Sequence, residues 1–216
     1  MDTSTVDWLL TTTRSVRKRL DFNRPVAPEV IEECLDLAIQ APSGSDQQRW
    51  SFIVITDAEL KRQVAAYYQQ SFDAYYHGSS GPHGGPYAPT TPLAESAVYL
   101  AGNMHRAPAL VIFCYDGRVE QAGAMAQAGY YGSILPAAWS FMLALRSRGL
   151  GTAWTTLHLR YEREVAALLG APESMTQTVL FPVAYTIGDD FKPAKRAPAS
   201  ERTSWNGWGK RRTDDA

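Results

Sequence analysis

The chain has 216 residues, of which 45% are hydrophobic, and its 21 basic and 22 acidic residues nearly balance. This length fits one domain, and the even charge excludes the broad basic face of a dedicated nucleic-acid binder. Cys34 and Cys114 lie in separate apolar runs, which favours buried free thiols over a disulfide framework. No basic flank precedes an apolar core at the start, and no apolar run could cross a bilayer, so we expect a cytoplasmic protein without a membrane partner.

Helices and strands alternate along the chain, which predicts an α/β or α+β fold in a single domain over 1–216. A short helix precedes residue 14. The stretch 28–41 predicts a second helix, because Pro28 suits a first turn and apolar residues recur with a period near 3.6. The other predicted elements are a strand at 51–56, a helix from 57 to about 75, a helix at 93–104, a strand at 108–115 covered on both faces, a long helix at 118–148, a strand at 151–157, a helix at 161–169 and a strand at 178–188.

The long helix at 118–148 contains Gly132 and Pro136, which make the region between them a candidate break. A helix that is apolar almost all round must be buried, and a second subunit is one candidate cover.

Two segments fall outside the regular pattern. The stretch 77–92, "HGSSGPHGGPYAPTTP", is expected to form a mobile lid. The polar segment 189–216 is expected to form an extended tail.

A cluster of positive charge occupies "TTTRSVRKRL" at positions 11–20. Arginine and a neighbouring hydroxyl can hold a phosphate dianion through charge-assisted hydrogen bonds. The alternative is a solvated basic turn that pairs with the acids of 29–36. We assign Lys18 and Arg19 to this alternative.

Several familiar catalytic devices are absent from the sequence. It contains neither a GxxxxGK[ST] loop nor a GxGxxG after a strand, and no GxSxG elbow. The four histidines lack the spacing of metal ligands. A mechanism built on a metal, a serine nucleophile or a Rossmann dinucleotide site therefore has no support.

Four stretches together resemble the FMN-dependent nitroreductase family. They are "TRSVRKRL", "APSGSDQQRW" at 41–50, "LRSRGLGTAW" at 145–154 and "KPAKRAP" at 192–198, in the order of that family's motifs. The resemblance implies an α+β fold with a mostly antiparallel sheet between helical layers. It also implies an intertwined homodimer with two FMN sites at its interface.

The resemblance assigns cofactor contacts residue by residue. Arg14 and Ser15, with Lys195 and Arg196 from the far end, would hold the FMN phosphate. Arg17 would lie near the N1–C2=O edge of the flavin and stabilise its reduced, anionic form. The opposite subunit would supply contacts to the ribityl chain and pyrimidine edge from Pro42, Ser43, Ser45, Asp46 and Gln48. The flavin N5 would lie beside Thr155, Thr156 and Leu157, and the substrate pocket would be covered by Tyr75, Tyr76 and Tyr87.

Three positions depart from the family pattern. Thr13 replaces the first basic residue of the RRSxR segment, so the phosphate would depend more on Lys195 and Arg196. Asp46 replaces an asparagine, and its charge would oppose an electron-rich flavin unless Arg17 or Arg49 pairs with it. Arg49 replaces a proline, and we hypothesise that it compensates for Asp46.

The implied reaction is a ping-pong transfer of hydride from NAD(P)H through flavin N5 to a nitroaromatic or quinone-like acceptor. It needs no catalytic side chain, because the cofactor carries the chemistry. The same scaffold could serve reductive dehalogenation, oxidation of a ring, flavin degradation or flavin binding without catalysis. Binding of a phosphorylated partner or RNA by the basic cluster is a further alternative, which the near-neutral charge disfavours.

Overall fold

The computed structural model describes residues 2–77 and 91–212. Its α-helices are α1 (Thr3–Thr12), α2 (Pro28–Ala38), α3 (Ala58–His77), α4 (Pro92–Asn103), α5 (Ala124–Ser147) and α6 (Glu162–Leu169). Its strands are β1 (Leu20–Asp21), β2 (Trp50–Ile55), β3 (Ala109–Asp116), β4 (Leu150–Gly151) and β5 (Met175–Thr186). None of the helices among these residues is long and apolar enough to span a membrane.

The strands form one sheet in the order β1-β5-β3-β2, with β4 also paired to β5. Every one of these strand pairs is antiparallel. Strand β3 lies in the centre and is buried from Ala109 to Tyr115. This burial confirms the prediction from its continuous apolar run that both faces are covered.

Alternate residues of the central strands feed two separate cores, because successive side chains point to opposite faces of a sheet. Val111 and Phe113 pack with α2 and α5 on one face, whereas Leu110 and Ile112 pack with α3 and α4 on the other. The molecule therefore has three layers, helix, sheet and helix, as the α+β prediction requires. The free thiols of Cys34 and Cys114 are buried in these two cores, and burial raises their pKa values to about 11 and about 12.

Helix α5 differs from its prediction at its start and in its middle. It begins at Ala124, since residues before Gly123 form a turn in which the Ala122 amide donates to the Val119 carbonyl. It continues through Pro136 without a break. Burial of Ile134, Ala137 and Phe141 in the core offsets the hydrogen bond that proline removes.

The predicted strand at 151–157 is wrong. Strand β4 ends at Gly151, and the chain then makes only isolated bridges, from Thr152 to Ser15 and from Thr155 to Leu180. A short 3-10 helix begins at Leu157. Because Thr152 pairs with the basic segment and Thr155 pairs with β5, no continuous strand forms, although the sequence is rich in β-forming residues. The other boundaries differ from prediction by at most three residues.

Candidate functional site

The basic segment lies directly beside β4. The Val16 amide donates to the Thr152 carbonyl over 2.8 Å. Gly151 permits this approach, because a Cβ at this position would stand 2.6 Å from the Thr186 side chain and 3.1 Å from that of Val16. The second glycine of "GLG", Gly151, is therefore required by packing. Residues 14–17 lie next to the segment that begins at Thr152 in the same chain.

Two of the four cations in this segment are bound by the fold. The Lys18 ammonium pairs with Glu95 at 3.1 Å. Arg19 donates to the Ile187 carbonyl at 2.7 Å and to the Asp190 carboxylate at 2.6 Å. The alternative reading placed these partners among the acids of 29–36, and that placement is wrong, because the partners lie on α4 and on the chain after β5.

Arg14 and Arg17 form no ion pair within residues 2–77 and 91–212. Both line a cavity of about 300 Å³, which Ser15, Ser96 and Lys192 also border. The Asp190 carboxylate reaches this cavity too, but Arg19 neutralises it. The cavity therefore presents unneutralised guanidinium groups and hydroxyls, the donors that a phosphate dianion needs.

A second cavity of about 210 Å³ shares Arg17 with the first. Its walls are largely aromatic and come from α3 and from the segment after β4. They include Tyr68, Phe72, Tyr75, Tyr76, Trp154, Thr155, Thr156 and Leu157. The structure thus brings together the predicted Tyr75 and Tyr76, whereas Tyr87 lies outside the described residues. A cationic cavity adjoining an aromatic one suits a ligand with an anionic end and a planar ring.

The two threonines beside this cavity differ in their burial and hydrogen bonding. Thr155 is buried, and both its amide and its hydroxyl donate to the Leu180 carbonyl, the hydroxyl over 2.6 Å. Thr156 is exposed and immediately precedes the 3-10 helix. Of the two threonines predicted to lie beside the flavin N5, Thr155 therefore uses its amide and hydroxyl in hydrogen bonds to β5. The side chain of Thr156 is the one that a ligand can reach.

His158 lies behind this turn and was missed as a special residue by the sequence reasoning. Its side chain is fully buried, and neither ring nitrogen has a hydrogen-bond partner among the described residues. Burial lowers its pKa from 6.5 to about 3, because the charged form cannot be solvated. His158 is thus a neutral core residue at physiological pH.

The loop 42–48 is held on helix α5. The Gly44 amide donates to the Ser133 hydroxyl at 2.9 Å, and the Trp50 indole donates to the Ser133 carbonyl at 2.8 Å. Ser45, Asp46 and Gln48 have φ angles of 53°, 53° and 49°, in the left-handed region that non-glycine residues rarely occupy. Such strain concentrates at ligand-binding positions, so the exposed loop remains a candidate contact surface.

The hypothesis that Arg49 compensates for Asp46 is not supported. The Asp46 carboxylate accepts a hydrogen bond from the Gln48 amide at 2.8 Å. Neither Arg17 nor Arg49 forms an ion pair with it in the described part of the chain. The negative charge of Asp46 is thus balanced by an amide dipole alone.

The predicted contacts fall into two groups that one chain does not bring together. Arg14, Ser15 and Arg17 border the cationic cavity, and Arg17 also borders the aromatic cavity, whose walls come mainly from α3 and the segment after β4. The loop at 42–48 packs on α5, across the sheet from those helices.

The C-terminal basic pair also lies away from both cavities. Lys195 and Arg196 are exposed and line neither of them. Lys192 of the same "KPAKRAP" stretch borders the cationic cavity instead. The sequence analysis named Lys195 and Arg196 from this segment, whereas within this chain Lys192 is the cation of the segment that borders the cavity.

Comparison with known proteins places these features in a family. The model of the Nitroreductase family matches residues 10–185. Iodotyrosine deiodinase of Drosophila melanogaster is 31% identical over 179 residues, covering 80% of this chain and 59% of the deiodinase. Iodotyrosine deiodinase 1 of Mus musculus is 27% identical over 197 residues, covering 90% of this chain and 66% of its own length.

Solved structures share the fold. The FMN-dependent nitroreductase NfnB from Mycobacterium smegmatis, solved in complex with NADPH, has a TM-score of 0.68 at 20% identity, covering 95% of this chain and 99% of NfnB. An oxidised iodotyrosine deiodinase bound to FMN and 3-iodo-L-tyrosine has a TM-score of 0.62 at 24% identity, covering 88% and 93%. The family match spans most of the chain and both neighbours share its three-layer architecture. This chain belongs to the nitroreductase family.

Proposed function

We propose that the chain is an FMN-dependent oxidoreductase that takes electrons from NAD(P)H and passes them to a nitroaromatic or quinone-like acceptor. The observation that carries the proposal is the pair of cavities that meet at Arg17. One is bordered by Arg14, Arg17 and Lys192, which form no ion pair with the described residues, and the other has aromatic rings in its wall. These donors fit a phosphate, and the rings fit a flavin, so the residues present suit FMN.

Arg14, Ser15 and Lys192 are the proposed phosphate ligands. Charge-assisted hydrogen bonds from guanidinium and ammonium groups to phosphate are about twice as strong as neutral ones. Arg17, at the junction of the cavities, would set a positive charge beside the ring system and stabilise negative charge that develops there. When bound, FMN supplies two-electron transfer between a nicotinamide donor and an acceptor. Protein groups then need only bind, orient and exclude water.

The proposed assembly is a homodimer in which a second copy supplies the loop 42–48. Within one chain this loop lies across the sheet from the aromatic cavity, so it cannot complete that site. Helix α5, which anchors the loop, leaves Met125 90% and Trp139 39% exposed. Exposed apolar side chains of this size suit an interface between copies.

A second candidate function is reductive dehalogenation on the same scaffold. The curated relatives named iodotyrosine deiodinase favour it. Both candidates share the cofactor contacts, and the acceptor alone separates them. A flavin-binding module without catalysis is the remaining alternative.

The test is a visible spectrum followed by anaerobic reduction. Purified protein should show the visible absorption band of a flavin, or gain this band with added FMN, and NADPH or NADH should bleach it. Turnover with nitrobenzoate but not with halophenols favours nitroreduction, and the reverse favours dehalogenation. Colourless protein that stays colourless in excess FMN refutes the proposal, and a monomeric mass in solution refutes the shared site.

A further inference from the structure

The chain after β5 is held against the basic segment by three side chains, which we call the tail clip: Arg19, Arg146 and Phe191. The guanidinium carbon of Arg19 lies 4.2 Å from the centre of the Phe191 ring, and that of Arg146 lies 4.8 Å from it. Cations over an aromatic face attract its negative quadrupole. Three elements distant in sequence, the basic segment, α5 and the tail, therefore meet at one ring.

Two hydrogen bonds to backbone carbonyls reinforce this contact. The Ile187 amide donates to the Arg19 carbonyl at 2.8 Å, and Arg146 donates to the Asp189 carbonyl at 2.9 Å. Gly188 has a φ of 73°, and a Cβ there would lie 2.6 Å from the Arg19 guanidinium. The turn is thus built to let Arg19 approach the tail backbone closely.

One member of the clip, Arg146, lies in the interior. Arg146 is 5% exposed, and its guanidinium also lies 4.4 Å from the centre of the Trp8 ring on α1. No carboxylate pairs with it among the described residues. A buried cation without a directly paired carboxylate is costly, so the ring and carbonyl contacts stabilise Arg146 together with the nearby charge of Asp189.

We propose that the tail clip positions Lys192 at the cationic cavity, so that Phe191 is a positioning residue for the phosphate end of the cofactor. Phe191 and Lys192 are adjacent, and both border the cavity that Arg14 and Ser15 line. Arg146 and Arg19 also hold Asp189 and Asp190, but the Phe191 ring is the contact of the clip that lies nearest to Lys192 in the chain. This inference rests on the proposed function, since it names a determinant of FMN affinity.

The experiment compares Phe191→Leu and Phe191→Met with Phe191→Tyr, which keeps the ring. Phe22→Leu is the matched control, because Phe22 also lies under an arginine, Arg106 at 5.5 Å, but borders neither cavity. Dissociation constants are measured for FMN and for riboflavin, which lacks the phosphate. Tryptic cleavage after Lys195 and Arg196 reports tail attachment without any cofactor.

Loss of the ring should weaken FMN binding roughly five- to tenfold and leave riboflavin binding unchanged, with tail cleavage faster by a similar factor. Phe191→Tyr and Phe22→Leu should stay within about twofold of wild type. Unchanged FMN affinity and cleavage in both ring-less variants overturn the clip, and equal losses for the two flavins overturn its role at the phosphate. Wild-type protein that binds neither flavin refutes the proposed function and the role of Lys192, while cleavage rates still decide whether the clip holds the tail.

Discussion

Arg14 and Arg17 differ sharply from Lys18 and Arg19, although all four stand within positions 14–19. Lys18 pairs with Glu95, and Arg19 donates to the Asp190 carboxylate and the Ile187 carbonyl. All four cations border the cationic cavity, but Arg14 and Arg17 form no ion pair with the residues that the structure describes, and Arg17 also borders the aromatic cavity. Charge density in a sequence therefore does not by itself indicate a binding site.

The difference lies in which cations the fold satisfies. An exposed ion pair contributes at most about 1 kcal/mol, so Lys18 is a minor structural contact. Uncompensated cations in a cavity repel each other, and they become favourable when an anion enters. We therefore propose that the unsatisfied pair is the functional half of the segment, which leads to three predictions.

The largest effect is expected from the double substitution Arg14→Ala and Arg17→Ala. Removing two charge-assisted contacts should cost about 3 kcal/mol of FMN binding, which is more than a hundredfold in Kd. Titration of FMN fluorescence measures it. Lys18→Ala is the control, because Lys18 borders the same cavity but is already paired with Glu95, and it should change Kd less than twofold. Equal losses of FMN affinity in the two variants would contradict the distinction between the unpaired arginines and the paired lysine.

An intermediate effect concerns His158, a potential cation that the fold keeps neutral. Its folded pKa of about 3 lies below the unfolded value of 6.5, so the unfolded state binds the proton first as pH falls. The free energy of unfolding should decrease below pH 6.5, by about 2 kcal/mol at pH 5 relative to pH 8. Urea denaturation at the two pH values measures this.

The control for this prediction is another histidine. His158→Leu should flatten the dependence between pH 8 and pH 5, whereas substitution of the exposed His105 should leave it intact. A dependence that persists in full after His158→Leu would show that other groups cause it. In that case burial of His158 would not be the cause of the pH dependence.

The smallest effect is expected from Lys18→Ala or Glu95→Ala. Both side chains of this pair are more than half exposed, at 51% and 58%. Each substitution should lower the free energy of unfolding by less than about 0.5 kcal/mol, or Tm by less than about 2 °C. Calorimetry checks this. A larger fall would mean that the pair fixes the basic segment and that Lys18 supports the site.

Much of the fold was predictable from local pattern. The period of apolar residues identified α2, and the continuous apolar run of β3 predicted a strand covered on both faces, since both signals depend on neighbours in sequence. The course of α5 through Pro136 and the break after Gly151 were not predictable. Core packing overrides a proline's local preference, and partners on distant segments interrupt a ladder of β-formers.

The sequence alone determined the family motifs, their order, and the types of donor available to an anion, because these are properties of residues and spacing. Only the tertiary structure decided that Arg14 and Arg17 form no ion pair within the described part of the chain, that Lys192 borders the cavity in place of Arg196, and that the loop 42–48 lies across the sheet from the aromatic cavity. Pairing, burial and the side of a sheet depend on long-range contacts, and no local pattern encodes which distant acid will meet a given cation.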